Sequence, residues 1–123
     1  MRAVLTLAAV TALVLAVALA PTARARGAAE TKVTIKGPNG DFSGKIKSSK
    51  PKCLGDRKVI VYRIKGNGYD PDNDEVIAKD TSEVVGNRGK WSVGNTGAGP
   101  GAYYALAKRS PGCKIGFSVP VQI

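Results

Sequence analysis

The chain has 123 residues, with 19 Lys or Arg against 9 Asp or Glu, two cysteines and no histidine. Its formal charge of +10 favours anionic partners through long-range attraction. The lack of histidine excludes the serine and cysteine triads that depend on it, and most zinc sites.

Arg2 gives a short basic start, and residues 3–20, AVLTLAAVTALVLAVALA, are apolar apart from two threonines. Pro21 ends that run. Ala23-Arg24-Ala25 then sets small residues at the spacing of a secretory cleavage site, which completes the layout of a signal peptide. The expectation is a signal helix over residues 1–25, cleaved after Ala25, with the protein secreted outside the cell or held in the envelope. The rival reading is a retained anchor, since the apolar run is near the minimum bilayer span; a membrane enters only through this segment. Residues 26–30 follow as a short disordered lead, and residues 31–123 form one domain. Setting aside Arg2 and Arg24 leaves 17 basic residues against 9 acidic ones.

The next segments alternate in polarity at period two, which predicts half-buried strands. In TKVTIK (31–36), Val33 and Ile35 share a face. GPNG (37–40) is a turn. DFSGKIKS (41–48) turns Phe42, Gly44 and Ile46 inward and Ser43, Lys45 and Lys47 outward. SKPKCLGD (49–56) is a loop that carries Cys53. RKVIVYRIK (57–65) is rich in branched and aromatic residues and apolar on both faces, which predicts a central strand or one covered by a loop. After the polar loop 66–74 comes a strand over 75–81, then a glycine-flanked turn at Asn87-Arg88. KWSVG (90–94) places Trp91 and Val93 toward the core. AYYALAKR (102–109) puts Tyr103, Ala105 and Ala107 on one face and Tyr104 and Leu106 on the other. SPGC (110–113) is a turn delivering Cys113. In the last segment, 115–123, Pro120 marks an edge strand or a bulge. Seven short strands with turns every 8 to 12 residues predict an all-β fold, a seven-stranded antiparallel β-sandwich.

An even, minimal cysteine pair in an exported chain predicts one disulfide, Cys53 to Cys113. A domain of about 98 residues gains from such a staple.

Several segments resemble sites of known chemistry. GNTGAGPG (94–101) has four glycines, as a phosphate-gripping loop would. Such a loop needs a helix after it to supply free N–H groups, whereas AYYALAKR reads as a strand and Pro100 removes a donor. The loop therefore reads as a connection between strands. The alternating Asp70, Asp72 and Asp74 resemble the start of a calcium loop, but Glu75 and Thr81 stand where that loop needs glycine and glutamate. Weak calcium binding is the reading left for that stretch, and no other cofactor is expected. The carboxylates Asp70, Asp72, Asp74, Glu75, Asp80 and Glu83 lie mostly in one exposed loop, where nothing raises the pKa of a general acid. The chain is not expected to be an enzyme and has no catalytic residues to name. Lys45, Lys47, Lys50, Lys52 and Lys58 are candidates for holding a polyanion, although their alternation with apolar residues is also what the solvent side of a sheet looks like. Tyr62, Tyr69 and Tyr104 are candidates for stacking on sugars.

A "G-x-I" strand (Gly44, Ile46), a "V-x-V-x-R" strand (Val59, Val61, Arg63), a hairpin carrying Thr81, Gly89, Trp91 and Val93, and a "PG-x-Y" turn (Pro100, Gly101, Tyr103) together resemble the transthyretin-like and carboxypeptidase-regulatory-like β-sandwich modules. The resemblance spans about residues 41–121 and implies a prealbumin-like or Ig-like sandwich in an accessory role, without catalytic residues. The expected function is an exported, non-enzymatic module with a structural or binding role toward protein or glycan. The alternatives are a cationic protein that binds an anionic wall polymer or glycan, with no specific nucleic acid, and a weak calcium module.

Overall fold

The computed structural model describes residues 27–123; the expected signal segment, residues 1–25, lies outside the described residues. Nine strands are formed among them: β1 (Lys32–Val33), β2 (Asp41–Lys47), β3 (Lys58–Arg63), β4 (Glu75–Thr81), β5 (Glu83–Val85), β6 (Arg88–Asn95), β7 (Ala102–Ala107), β8 (Gly116–Phe117) and β9 (Val121–Gln122). They build two antiparallel sheets, one ordered β1-β2-β6-β5 and the other β4-β3-β7-β8, with β9 also paired to β7. The all-β sandwich is as expected from the alternation.

The strand count differs from seven for two physical reasons. Glu83–Val85, not expected as a strand, pairs with Arg88–Lys90 across a tight hairpin, with Gly86 at φ 64°. The last strand is split, because Pro120 cannot donate to the ladder. Ser118 fills the gap: its backbone N–H donates to the Ala105 carbonyl and its Oγ accepts the Ala105 N–H, both at 2.8 Å.

The inner faces meet as the period-two pattern requires. Val33, Phe42, Ile46 and Trp91 from one sheet pack on Val59, Val61, Tyr103, Ala105 and Ala107 from the other. β3 lies between β4 and β7, the central place that its two apolar faces predicted. Its second face, with Ile60, Tyr62, Tyr104 and Leu106, forms a smaller outer cluster under the 66–74 loop. Gly44 pairs with Trp91 across β2 and β6, and a Cβ there would lie 2.7 Å from the indole and closer still to the Thr34 carbonyl. Only glycine lets the tryptophan fill that part of the core.

Cys53 and Cys113 are joined by a disulfide with Cα atoms 5.6 Å apart. The bond ties the β2–β3 loop to the turn after β7, and Ala29 packs against it. Ala29 and Glu30 belong to the segment expected as a loose lead. They are instead tied down: the Ala29 N–H donates to Gly112 O, the Lys114 N–H to Ala29 O, and Glu30 forms an ion pair with Lys114. The disulfide holds the 110–113 turn in place to receive them.

Candidate functional site

Alternation along β1, β2 and β6 sends one residue in two to the open face of the four-stranded sheet, and register decides which ones meet. Lys32 stands opposite Lys47. Lys45 stands opposite Lys90, and Lys90 opposite Glu83. Arg88 precedes Gly89, the partner of Ile46, and so stands beside Lys47. Lys36 bridges to Ser43, which stands opposite Ser92. Three strands and the bridge at Lys36 thus place six cations on one face: Lys32, Lys36, Lys45, Lys47, Arg88 and Lys90.

Five of these cations, all but Lys32, line a shallow groove of about 670 Å³, together with Thr34, Ser43, Thr81 and Ser92. Asp80 and Glu83 close one side of it. Asp80 is already engaged, since its Oδ2 accepts the Ser92 N–H at 2.7 Å. Trp91 contributes to the lining, and its indole N–H is buried without a protein partner among the described residues. Lys45 sits at the centre: the charge of Arg88 above all, then partial burial, then Lys36, Lys90 and Lys47, hold its ammonium pKa below the ordinary lysine value. Like charges so arranged repel one another, and an anion laid over them would relieve that repulsion.

The five lysines nominated from the sequence do not form one patch. Lys45 and Lys47 belong to the groove. Lys50 precedes the short turn at Pro51–Cys53 and Lys52 lies within it, and the Lys52 ammonium packs against Gly112. Lys58 lies on the other sheet, beside Lys79 and Lys108. Lys36, Arg88 and Lys90 take the places that Lys50, Lys52 and Lys58 were expected to hold. Their outward positions follow from alternation, but their neighbours follow only from strand register.

The acidic loop is used structurally. Asp74 is buried; its Oδ1 accepts the Lys65 N–H at 3.0 Å, and its Oδ2 accepts the Asp70 N–H at 2.9 Å and the Tyr104 hydroxyl at 2.7 Å. Asp70 accepts from the Asn73 amide. Among the described residues no group of three or more His, Cys, Asp or Glu is placed to hold a metal ion. Burial pushes the Asp74 pKa up, but the hydrogen bonds from Lys65, Tyr104 and Asp70 and the charge of Lys65 outweigh it, so the net shift is downward. The linkage follows: this stabilisation is complete above the unfolded carboxylate value of about 3.9 and is lost as the pH falls through the lower folded pKa. Asp74→Asn is therefore expected to lower the melting temperature at pH 7, and the gap to the parent should shrink below about pH 4. Equal gaps at pH 7 and pH 3 in thermal scans would contradict this account.

Of the three tyrosines nominated for stacking on sugars, Tyr62 and Tyr104 are buried, stacked on each other with centroids 5.2 Å apart. Burial, then the hydrogen bond to Asp74, pushes the Tyr104 phenol well above its usual range. Tyr69 is exposed, but its ring abuts Tyr104 and Phe117 and its hydroxyl donates to Ser118 O at 2.7 Å. The 66–74 loop covers what the alternation alone left open.

The glycine loop 96–101 leads into β7 and not into a helix. Thr96 donates its hydroxyl to Gly40 O at 2.8 Å, and Tyr103 donates its hydroxyl to Gly99 O at 2.6 Å. The latter bond pins the corner where the chain crosses between sheets.

Arg57 has no forerunner in the motif reading. Only 1% of it is exposed, and among the described residues its guanidinium meets carbonyl and hydroxyl oxygens and no carboxylate. Its Nε and Nη2 donate to Lys108 O at 3.3 and 2.8 Å, and Nη2 also donates to Lys114 O at 2.9 Å. Its Nη1 donates to Thr31 Oγ1 and Cys53 O, each at 3.0 Å. Beside the disulfide, this guanidinium fastens four separate segments.

No protein-family model matches the chain, and no curated protein matches it either. Among solved structures it is similar to the crystal structure of an uncharacterized protein from Bacillus anthracis str. Ames, at 16% sequence identity and a TM-score of 0.50, covering 80% of this chain and 86% of that one. At that identity the likeness concerns the fold alone, a β-sandwich.

Proposed function

We propose that this chain is an exported, non-enzymatic β-sandwich module that binds an anionic polymer of the cell envelope or the extracellular space, such as an acidic wall polymer or glycan. One observation carries the reading: six cations from β1, the bridge at Lys36, β2 and β6 share one sheet face, where Arg88, Lys36, Lys90 and Lys47 lower the pKa of Lys45. Export is supported by the signal-like layout of residues 1–25 and by the disulfide, a bond that persists in oxidising compartments. An accessory role is supported by the motifs that resemble the prealbumin-like and transthyretin-like modules.

The test is retention on immobilised heparin beside a neutral dextran matrix. The protein is expected to bind heparin alone. Affinity should fall on the order of 10³-fold between about 50 and 200 mM salt, because six neutralised charges release a matching number of counterions. Retention that ignores salt, or equal retention on dextran, would rule the reading out.

A further inference from the structure

The outer face of the four-stranded sheet is more than a pool of charge, because its acids and cations are ordered. The row through Lys45 and Lys90 runs directly into Glu83. The row through Ser43 and Ser92 ends at Asp80. The diagonal from Lys36 on the β1 side, through Lys45 on β2, to Arg88 on β6 meets neither acid. With strands about 4.8 Å apart and residues two apart separated by about 6.8 Å, each diagonal step is about 8 Å at the backbone.

Resting on the polyanion-binding reading above, we propose that a single extended anionic chain lies across this face along the diagonal Lys36, Lys45 and Arg88, with Lys45 at its midpoint and Asp80 and Glu83 fencing the track on one side. Lys47 and Lys90 flank the track and neutralise charge to either side. Arg88, Lys36, Lys90 and Lys47 all lower the Lys45 pKa, so the charges of the track and of its flanks converge on Lys45. The same repulsion weighs against the unliganded fold, and an anionic ligand offsets it.

Trp91 is the sole tryptophan and lines the groove, so its fluorescence is a built-in reporter. The experiment titrates the protein with heparin-derived oligosaccharides at low and moderate salt, in the parent and in single variants. Lys45→Gln is expected to weaken binding at least tenfold and to reduce the salt slope by about one. Lys45→Arg, which keeps the charge, should retain binding. Lys45→Gln should melt no lower than the parent, because removing that ammonium relieves repulsion; this separates a ligand contact from a structural role. Glu83→Gln should bind as tightly as the parent or more tightly. The combined variant Lys50→Gln, Lys52→Gln, Lys58→Gln should bind more tightly than Lys45→Gln does, although it loses three charges. A combined variant as weak as Lys45→Gln, or weaker, would overturn the track while leaving polyanion binding intact. A parent that binds no heparin oligosaccharide would instead overturn the functional reading on which the track rests.

Discussion

Replacing Cys53 and Cys113 together by alanine is expected to lower the melting temperature by roughly 15–30 °C. The bond joins residues 60 apart in the chain. Closing a loop of that length removes enough freedom from the unfolded chain to stabilise the fold by about 4 kcal/mol. In a domain near 100 residues each kcal/mol moves the midpoint by roughly 4–8 °C. The bond also reaches beyond its own loop. Ser110 and Cys113 exchange two backbone hydrogen bonds, and the turn they close receives Ala29. Circular-dichroism melts of the parent, with and without reductant, and of the double alanine variant are the measurement. A shift under about 5 °C would show that the sandwich holds without the staple.

Arg57→Met is expected to destabilise the fold by at least about 3 kcal/mol. The substitution keeps much of the side-chain bulk and removes every donor. The Lys108, Lys114 and Cys53 carbonyls then lose their guanidinium contacts, and each buried polar group left unsatisfied costs about 1–3 kcal/mol. Arg57→Lys should fall between parent and Met, because one ammonium cannot span the carbonyls that the planar fork reaches. Arg57 and the disulfide share Cys53 as a neighbour, so the two losses are expected not to add. Urea unfolding of the single and combined variants measures both claims. An Arg57→Met variant within about 1 kcal/mol of the parent would show that water replaces the guanidinium at little cost.

Much of this architecture was legible in the residues. Period-two alternation assigned Phe42, Ile46 and Trp91 to the interior and grouped Val59 with Val61 and Tyr103 with Ala105 on shared faces, and all are buried. The tyrosines were harder. Tyr62 and Tyr104 read as outward, which is true of their strands, but the 66–74 loop folds over that face and Asp74 binds the Tyr104 hydroxyl. No local pattern announces where a polar loop will lie. The lysines failed for a related reason. Lys50, Lys52 and Lys58 follow Lys45 and Lys47 closely along the chain, yet a turn and a change of sheet carry them elsewhere.

Most of the strands, the inward faces of β2 and β6, the sandwich class and the pair of cysteines to be joined could be read from the residues, because each of these rests on short-range periodicity or on a count. Tertiary structure alone decided that Lys36, Lys45, Arg88 and Lys90 would share one groove and that Arg57 would be buried among four segments. Both depend on how strands distant in the chain align, and that alignment is set by packing the whole core at once.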